Sequence, residues 1–129
     1  MCNTQEDQEI MNIVLRKIGE SSQLSLRVED FNEVGLTITG FYIDMESPEE
    51  AKRLHDGLPE ASVKGRLDND SLGDRILKAL DKSRNLTGIK ELAHSQSRGR
   101  AVDFSKIRFE NPSFAEGSRI CVTFFIPYK

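Results

Sequence analysis

The chain has 129 residues, 18 Lys/Arg against 21 Asp/Glu, and 37% hydrophobic residues. That suits one domain over 1–129 with its own core, rather than a disordered tail or a fibre. No apolar run approaches the roughly 20 residues that span a bilayer, and the N-terminus is acidic and unlike a signal peptide. The two cysteines, Cys2 and Cys121, make no disulfide framework. The expectation is a cytoplasmic protein that stays off the membrane. The charge is unevenly distributed: residues 1–85 hold 11 Lys/Arg and 17 Asp/Glu, whereas residues 86–129 hold 7 and 4. A chain with two electrostatic halves can steer a partner or pair head-to-tail with a second copy.

The first predicted element is a helix over residues 4–19. Ile10, Met11, Ile13, Val14, Leu15 and Ile18 form its apolar face, Glu6, Asp7 and Glu9 complement the dipole at its start, and Gly19 stops it. Two strands follow. Leu24, Leu26 and Val28 alternate with polar residues, as do Val34, Leu36 and Ile38, with a hairpin link at 30–33. The phase shifts after Gly40, so that Phe41 and Ile43 are apolar, which predicts a bulge there. Ser47-Pro48-Glu49-Glu50 reads as an N-cap, a proline at the first helical position and a capping-box glutamate. The helix it opens carries Ala51, Leu54 and Leu58 inward and is expected to end before Pro59. Residues 59–70 read as a loop with a short strand near Val63. An amphipathic helix over 71–85 (Leu72, Ile76, Leu77, Ala79, Leu80) and a shorter one from Thr87 (Ile89, Leu92, Ala93) come next. Strands over 102–110 and 118–126 close the chain. The last of these, Ile120 to Ile126, is apolar on both faces, as expected for a central strand, or for one with helices on one face and a partner on the other. The order α-β-β-α-α-α-β-β predicts an α+β fold: a small antiparallel sheet of about four strands with helices packed on one face.

No catalytic constellation assembles from residue types and spacing. His55 and His94 lack ligand-spaced neighbours for a metal. Cys121 sits among apolar residues and reads as an inert buried thiol. Residues 68–73 brush against a calcium-loop pattern, but Leu72 stands at its fifth position and Ala79 at its twelfth, where oxygen ligands are needed. They read instead as an acidic helix start. There is no Lys-Ser/Thr phosphate-binding loop, and no cofactor is expected.

Three binding readings remain, beside the alternative of an enzyme whose site is scattered along the sequence. In the leading one the protein is a non-catalytic adaptor, inhibitor, chaperone or sequestering protein that acts through a surface, as a homo-oligomer and on an unidentified protein. In the second it captures a small anionic, nucleotide-like ligand. Ser95, Ser97, Arg98, Gly99 and Arg100 would form the loop, and Arg108 and Arg119, with Lys106, would be contributed by the strands that follow. In the third, residues 75–92 resemble a degenerate helix-turn-helix, with Ala79, Ser83, Leu86, Ile89 and Leu92 near its small and apolar positions. Lys82 and Arg84 fall where that motif needs burial and the chain is acidic, so nucleic acid is not the expected partner.

Overall fold

Two periodicities, 3.6 and 2, divide the chain into a helical layer and a sheet. The computed structural model describes residues 4–21, 25–68 and 72–129. Four helices, α1 (Thr4–Glu20), α2 (Pro48–Asp68), α3 (Leu72–Lys82) and α4 (Leu86–Gln96), combine with strands β1 (Arg27–Phe31), β2 (Gly35–Asp44), β3 (Arg108–Phe109), β4 (Ser113–Phe114) and β5 (Arg119–Pro127). The sheet is antiparallel throughout, in the order β1-β2-β5-β3, and β4 also pairs with β5. This is the expected α+β fold. β5 is its central strand, with β2 on one side and the broken β3–β4 edge on the other.

The helices share one core with one face of the sheet. Leu36, Ile38, Phe41 and Ile43 of β2 and Ile120, Val122, Phe124 and Ile126 of β5 are buried there, together with Ile10, Met11, Val14 and Ile18 of α1, Leu54 and Leu58 of α2, Ile76 and Leu80 of α3, and Ile89 of α4. Phe124 is its aromatic centre, edge-on to Phe41 at 5.8 Å and tilted against Phe109 at 5.7 Å. Each such side chain contributes about 1.5–3 kcal/mol on leaving water.

The bulge falls where the phase shift puts it. Pairing of β2 with β5 slips between Ile38 and Phe41, and Gly40 has φ 94. A Cβ on Gly40 would overlap the Ser25 carbonyl, so the bend needs glycine for both its φ and its close approach. In the β1–β2 hairpin the Asn32 side chain accepts the Val34 and Gly35 amides at 2.8 and 3.1 Å. At the start of α2 the Ser47 hydroxyl accepts the Glu50 amide at 3.1 Å, as the cap predicts.

Two segments differ from the expectation. α2 does not stop before Pro59 but runs to Asp68, so no loop or strand occupies 59–68. An internal proline withholds an N–H from the carbonyl four residues back and costs about 3 kcal/mol. The stripe Ala51, Leu54, Leu58 nevertheless continues into Ala61, and all four are buried. The expected strand over 102–110 is also interrupted. Val102 bridges Tyr128, a 3-10 turn spans Phe104–Lys106, and pairing resumes at Arg108. Val102, Ile107 and Phe109 are all buried in the core. Positions 102 and 107 differ by an odd number, so an unbroken strand would send them to opposite faces. The turn absorbs that one-residue mismatch. Leu24 and the calcium-like Asn69-Asp70-Ser71 lie outside the described residues.

Candidate functional site on the helix-free sheet face

The second parity of the strands faces away from the helices. On β2 it comprises Thr37, Thr39, Tyr42 and Asp44, and on β5 Arg119, Cys121, Thr123 and Phe125. Neither Cys121 nor Phe125 joins the helix-packed core, although both are buried. The register arranges the face in rows. Asp30, Thr37, Phe125 and Arg108 form the first. Arg27 and Thr39 lie beside Thr123 and Glu110 in the second, where Thr39 and Thr123 are joined by a 3.1 Å hydrogen bond and the Glu110 amide donates to the Thr123 carbonyl. Tyr42, Cys121 and Ser113 make the third, and Asp44 with Arg119 the fourth. Rows are about 7 Å apart and strands about 4.8 Å apart.

The centre of this face is closed by its own side chains. Thr39, Thr123, Cys121 and Phe125 are only 4–6% exposed, although among the described residues the buried apolar side chains of the helices all belong to the core on the opposite face. The Thr39 hydroxyl bonds both Thr123 Oγ1 and, at 3.3 Å, Cys121 Sγ. The hydroxyls therefore satisfy each other, and the centre can leave water without orphaning a polar group. Arg108 lays its guanidinium 4.4 Å from the Phe125 ring centroid. At the far end Arg119 pairs with Asp44 at 2.9 Å and lies 6.0 Å from the Tyr42 ring. The hydrogen bond and charge of Asp44 hold the Arg119 pKa above its ordinary value. Arg27, Arg108 and Arg119 thus stand at the rim with Asp30, Asp44 and Glu110.

The residues of the anion reading occupy several places. Ser95 and Ser97 turn their hydroxyls back to the Leu92 and His94 carbonyls at 2.9 and 3.3 Å, which finishes α4. Arg98 and Gly99 take positive φ values of 55 and 83, and the Arg100 amide closes the turn on the Ser97 carbonyl. The Arg100 guanidinium lies 3.9 Å from the Tyr128 ring centroid and donates to the Glu33 carbonyl at 3.2 Å. It ties the loop to the β1–β2 hairpin. Arg108 and Arg119 share the helix-free face, but they sit by Phe125 and by Asp44, six residues or about 20 Å apart along β5.

The remaining candidates resolve individually. His55 stacks on Phe114 (ring centroids 4.1 Å apart) and hydrogen-bonds Asp56 at 3.0 Å. Hydrogen bonds from Lys52 and then His55 hold the Asp56 carboxyl below its usual range. His94 packs edge-on to Phe104. Among the described residues no three His, Cys, Asp or Glu side chains gather as a metal site. α3 and α4 form a helix–turn–helix pair with Lys82 and Arg84 exposed. The chain matches no family model, no curated protein and no solved structure.

Arg27, Asp30, Thr37, Thr39, Tyr42, Asp44 and Glu110 do not emerge from motif searching, because none belongs to a motif. The available signal is the strand period. The polar parity of each predicted strand, collected across the sheet, outlines this face.

Proposed function

We propose that this chain is a non-catalytic binding protein whose recognition surface is the helix-free face of its sheet. One observation carries the reading. A face with no helix over it has a closed centre of mutually bonded threonines, a cysteine and a phenylalanine, ringed by three arginines and three carboxylates. The exposed part of the face, a ring of paired opposite charges around Thr37 and Tyr42, is the polar, charge-patterned surface through which proteins select partners. The edges of the sheet support it. β1 is short, charged (Arg27, Glu29, Asp30) and bulged, and the opposite edge is broken at the 3-10 turn and at Pro112. Such edges discourage strand addition, which leaves the face for recognition. The test is a photo-crosslinking amino acid placed at Thr37 on the face, or at Gln8 or Lys90 on the helical surface. A discrete adduct from position 37 alone is expected. Adducts from the helical positions with none from 37 would contradict the reading.

A further inference from the structure

The rim charges of this face do more than surround it. Counted on the register over these four rows, the positions are Asp30, Arg27 and Asp44 on the β1–β2 side and Arg108, Glu110 and Arg119 on the β5–β3 side; Asp103, whose amide donates to the Pro127 carbonyl, lies beyond them at the end of β5. In each row that carries them, the charge on one side is opposite in sign to the charge on the other. Asp30 stands across the row from Arg108, Arg27 from Glu110, and Asp44 from Arg119. Three arginines and three carboxylates cancel, so the face offers no footprint for a polyanion. The pattern instead complements itself under one specific rotation.

Resting on the reading of this face as the recognition surface, we infer that its partner is a second copy of this chain, related by a two-fold axis that runs parallel to the strands between β2 and β5. That rotation lays the β1–β2 half of one copy on the β5–β3 half of the other. Asp30 then faces the second copy's Arg108 and Arg27 its Glu110, each contact occurring twice, as an isologous interface requires, while the Asp44–Arg119 pair, already joined within each copy, lies over the same pair of the other. Thr37 and Tyr42, the partly exposed residues of the middle, lie beside the axis, whereas Thr39, Thr123, Cys121 and Phe125 are already closed off within each copy. Long rim side chains accommodate the crossing of about 30° that packed sheets adopt. An axis across the strands also matches the first two rows, but it centres between them and carries the Asp44–Arg119 end of each sheet past the end of the other at Pro127. The dividing line also falls between the acidic N-terminal and basic C-terminal parts of the chain, so the head-to-tail charge asymmetry of the sequence becomes a pairing of sheet halves.

Four strands at about 4.8 Å and nine residues of β5 at about 3.3 Å outline roughly 19 by 30 Å, or some 570 Å² per copy. Two copies bury at most on the order of 1,100 Å², because the centre is already closed within each, which places the contact among weak, reversible interfaces. A reversible dimer in the micromolar range is expected.

Within one copy, Asp30 and Arg108 stand three strand spacings apart, about 14 Å, beyond a Debye length at physiological salt. Their coupling therefore reads the contact between copies. The experiment is sedimentation equilibrium of Asp30→Arg, of Arg108→Asp and of their equimolar mixture, with circular dichroism to confirm folding. Alone, each variant sets like charges against each other twice and weakens self-association about tenfold or more. Mixed, they restore both contacts and form a heterodimer within about threefold of the wild-type affinity. A wild type that stays monomeric through the high micromolar range overturns the inference. So does a mixture no tighter than its components. Thr37→Arg, at the centre of the face, separates the two ways of failing. If it abolishes association while the mixture does not recover, the face stands and the two-fold arrangement falls. If it leaves wild-type association intact, both fall.

Discussion

Ser47 shows how a single side chain sets the start of an element. Its hydroxyl takes the Glu50 amide, while the Glu50 carboxylate reaches back to the Glu46 amide at 3.5 Å, one residue before the partner that a regular capping box would use. Ser47→Ala is expected to lower stability by about 0.5–2 kcal/mol in urea denaturation. A midpoint that does not move would mean that residues 47–50 cap nothing. Two glycines separate close approach from mere tolerance. A Cβ on Gly73 would overlap the Ser105 carbonyl where α3 meets the 3-10 turn, whereas a Cβ on Gly88 in α4 meets nothing within 4 Å. Gly88→Ala should therefore stabilise by about 0.5–1 kcal/mol, and Gly73→Ala should destabilise. Thermal melts of the pair check this, and equal effects would refute the placement of α3 against that turn. The cap and the Gly40 bulge were legible in the sequence because each is a local signal. The role of Gly73 was not, because the carbonyl it accommodates comes from 32 residues further along the chain.

α2 is the element on which local and tertiary preferences disagree. Pro59 argues for a stop, and the buried stripe through Ala61 argues for continuation; in the folded chain the stripe prevails. Pro59→Ala restores a backbone donor within the helix and is expected to raise stability by about 1–3 kcal/mol. A loss of stability would mean that the proline fixes the path of the helix rather than opposing it. The interrupted strand at 102–110 carries the same lesson. Val102 and Phe104 are apolar on one parity and Ile107 and Phe109 on the other, so the conflict is written in the sequence, and the fold resolves it with the 3-10 turn. The junction of α1 with the segment before α2 is where a pH dependence is expected. Lys17 donates to Glu46 at 2.9 Å, and this hydrogen bond and charge hold the Glu46 carboxyl below its ordinary value. Because the folded-state pKa is depressed, the contribution is complete above about pH 4.3 and is lost as the pH falls through the folded value. Glu46→Gln should therefore flatten the decline in stability below about pH 4.3 and leave its shape at higher pH unchanged. Denaturation midpoints measured from pH 3 to 7 test this.

At the scale of the whole molecule the chain builds one sheet with two unlike faces. One packs against four helices. The other holds a small bonded centre inside a neutral, alternating rim. The apolar character of both parities of β5 fits its central place in the sheet, one of the two arrangements it allows, but does not say which parity the helices take. The charges of the rim lie far apart in the sequence, and only the register brings Asp30 into one row with Arg108 and Arg27 into one row with Glu110. The loop at 95–100, which looks like an anion cradle when read as a string of residues, spends two of its hydroxyls and its Arg100 guanidinium on contacts within the chain. The account therefore rests on the face, and a distance between two copies tests it most directly. A nitroxide in place of Tyr42, a side chain of similar bulk on the same strand and face, in a chain with Cys2 replaced by serine and Cys121 buried, sits beside the proposed axis. Packed sheets are about 10 Å apart, so two such positions lie on the order of 11 Å from each other. The account predicts strong dipolar broadening at position 42 that disappears on dilution with unlabelled protein, and none from a label at Gln8 on α1. Broadening at Gln8 with none at position 42 would place any contact between copies on the helices and contradict it.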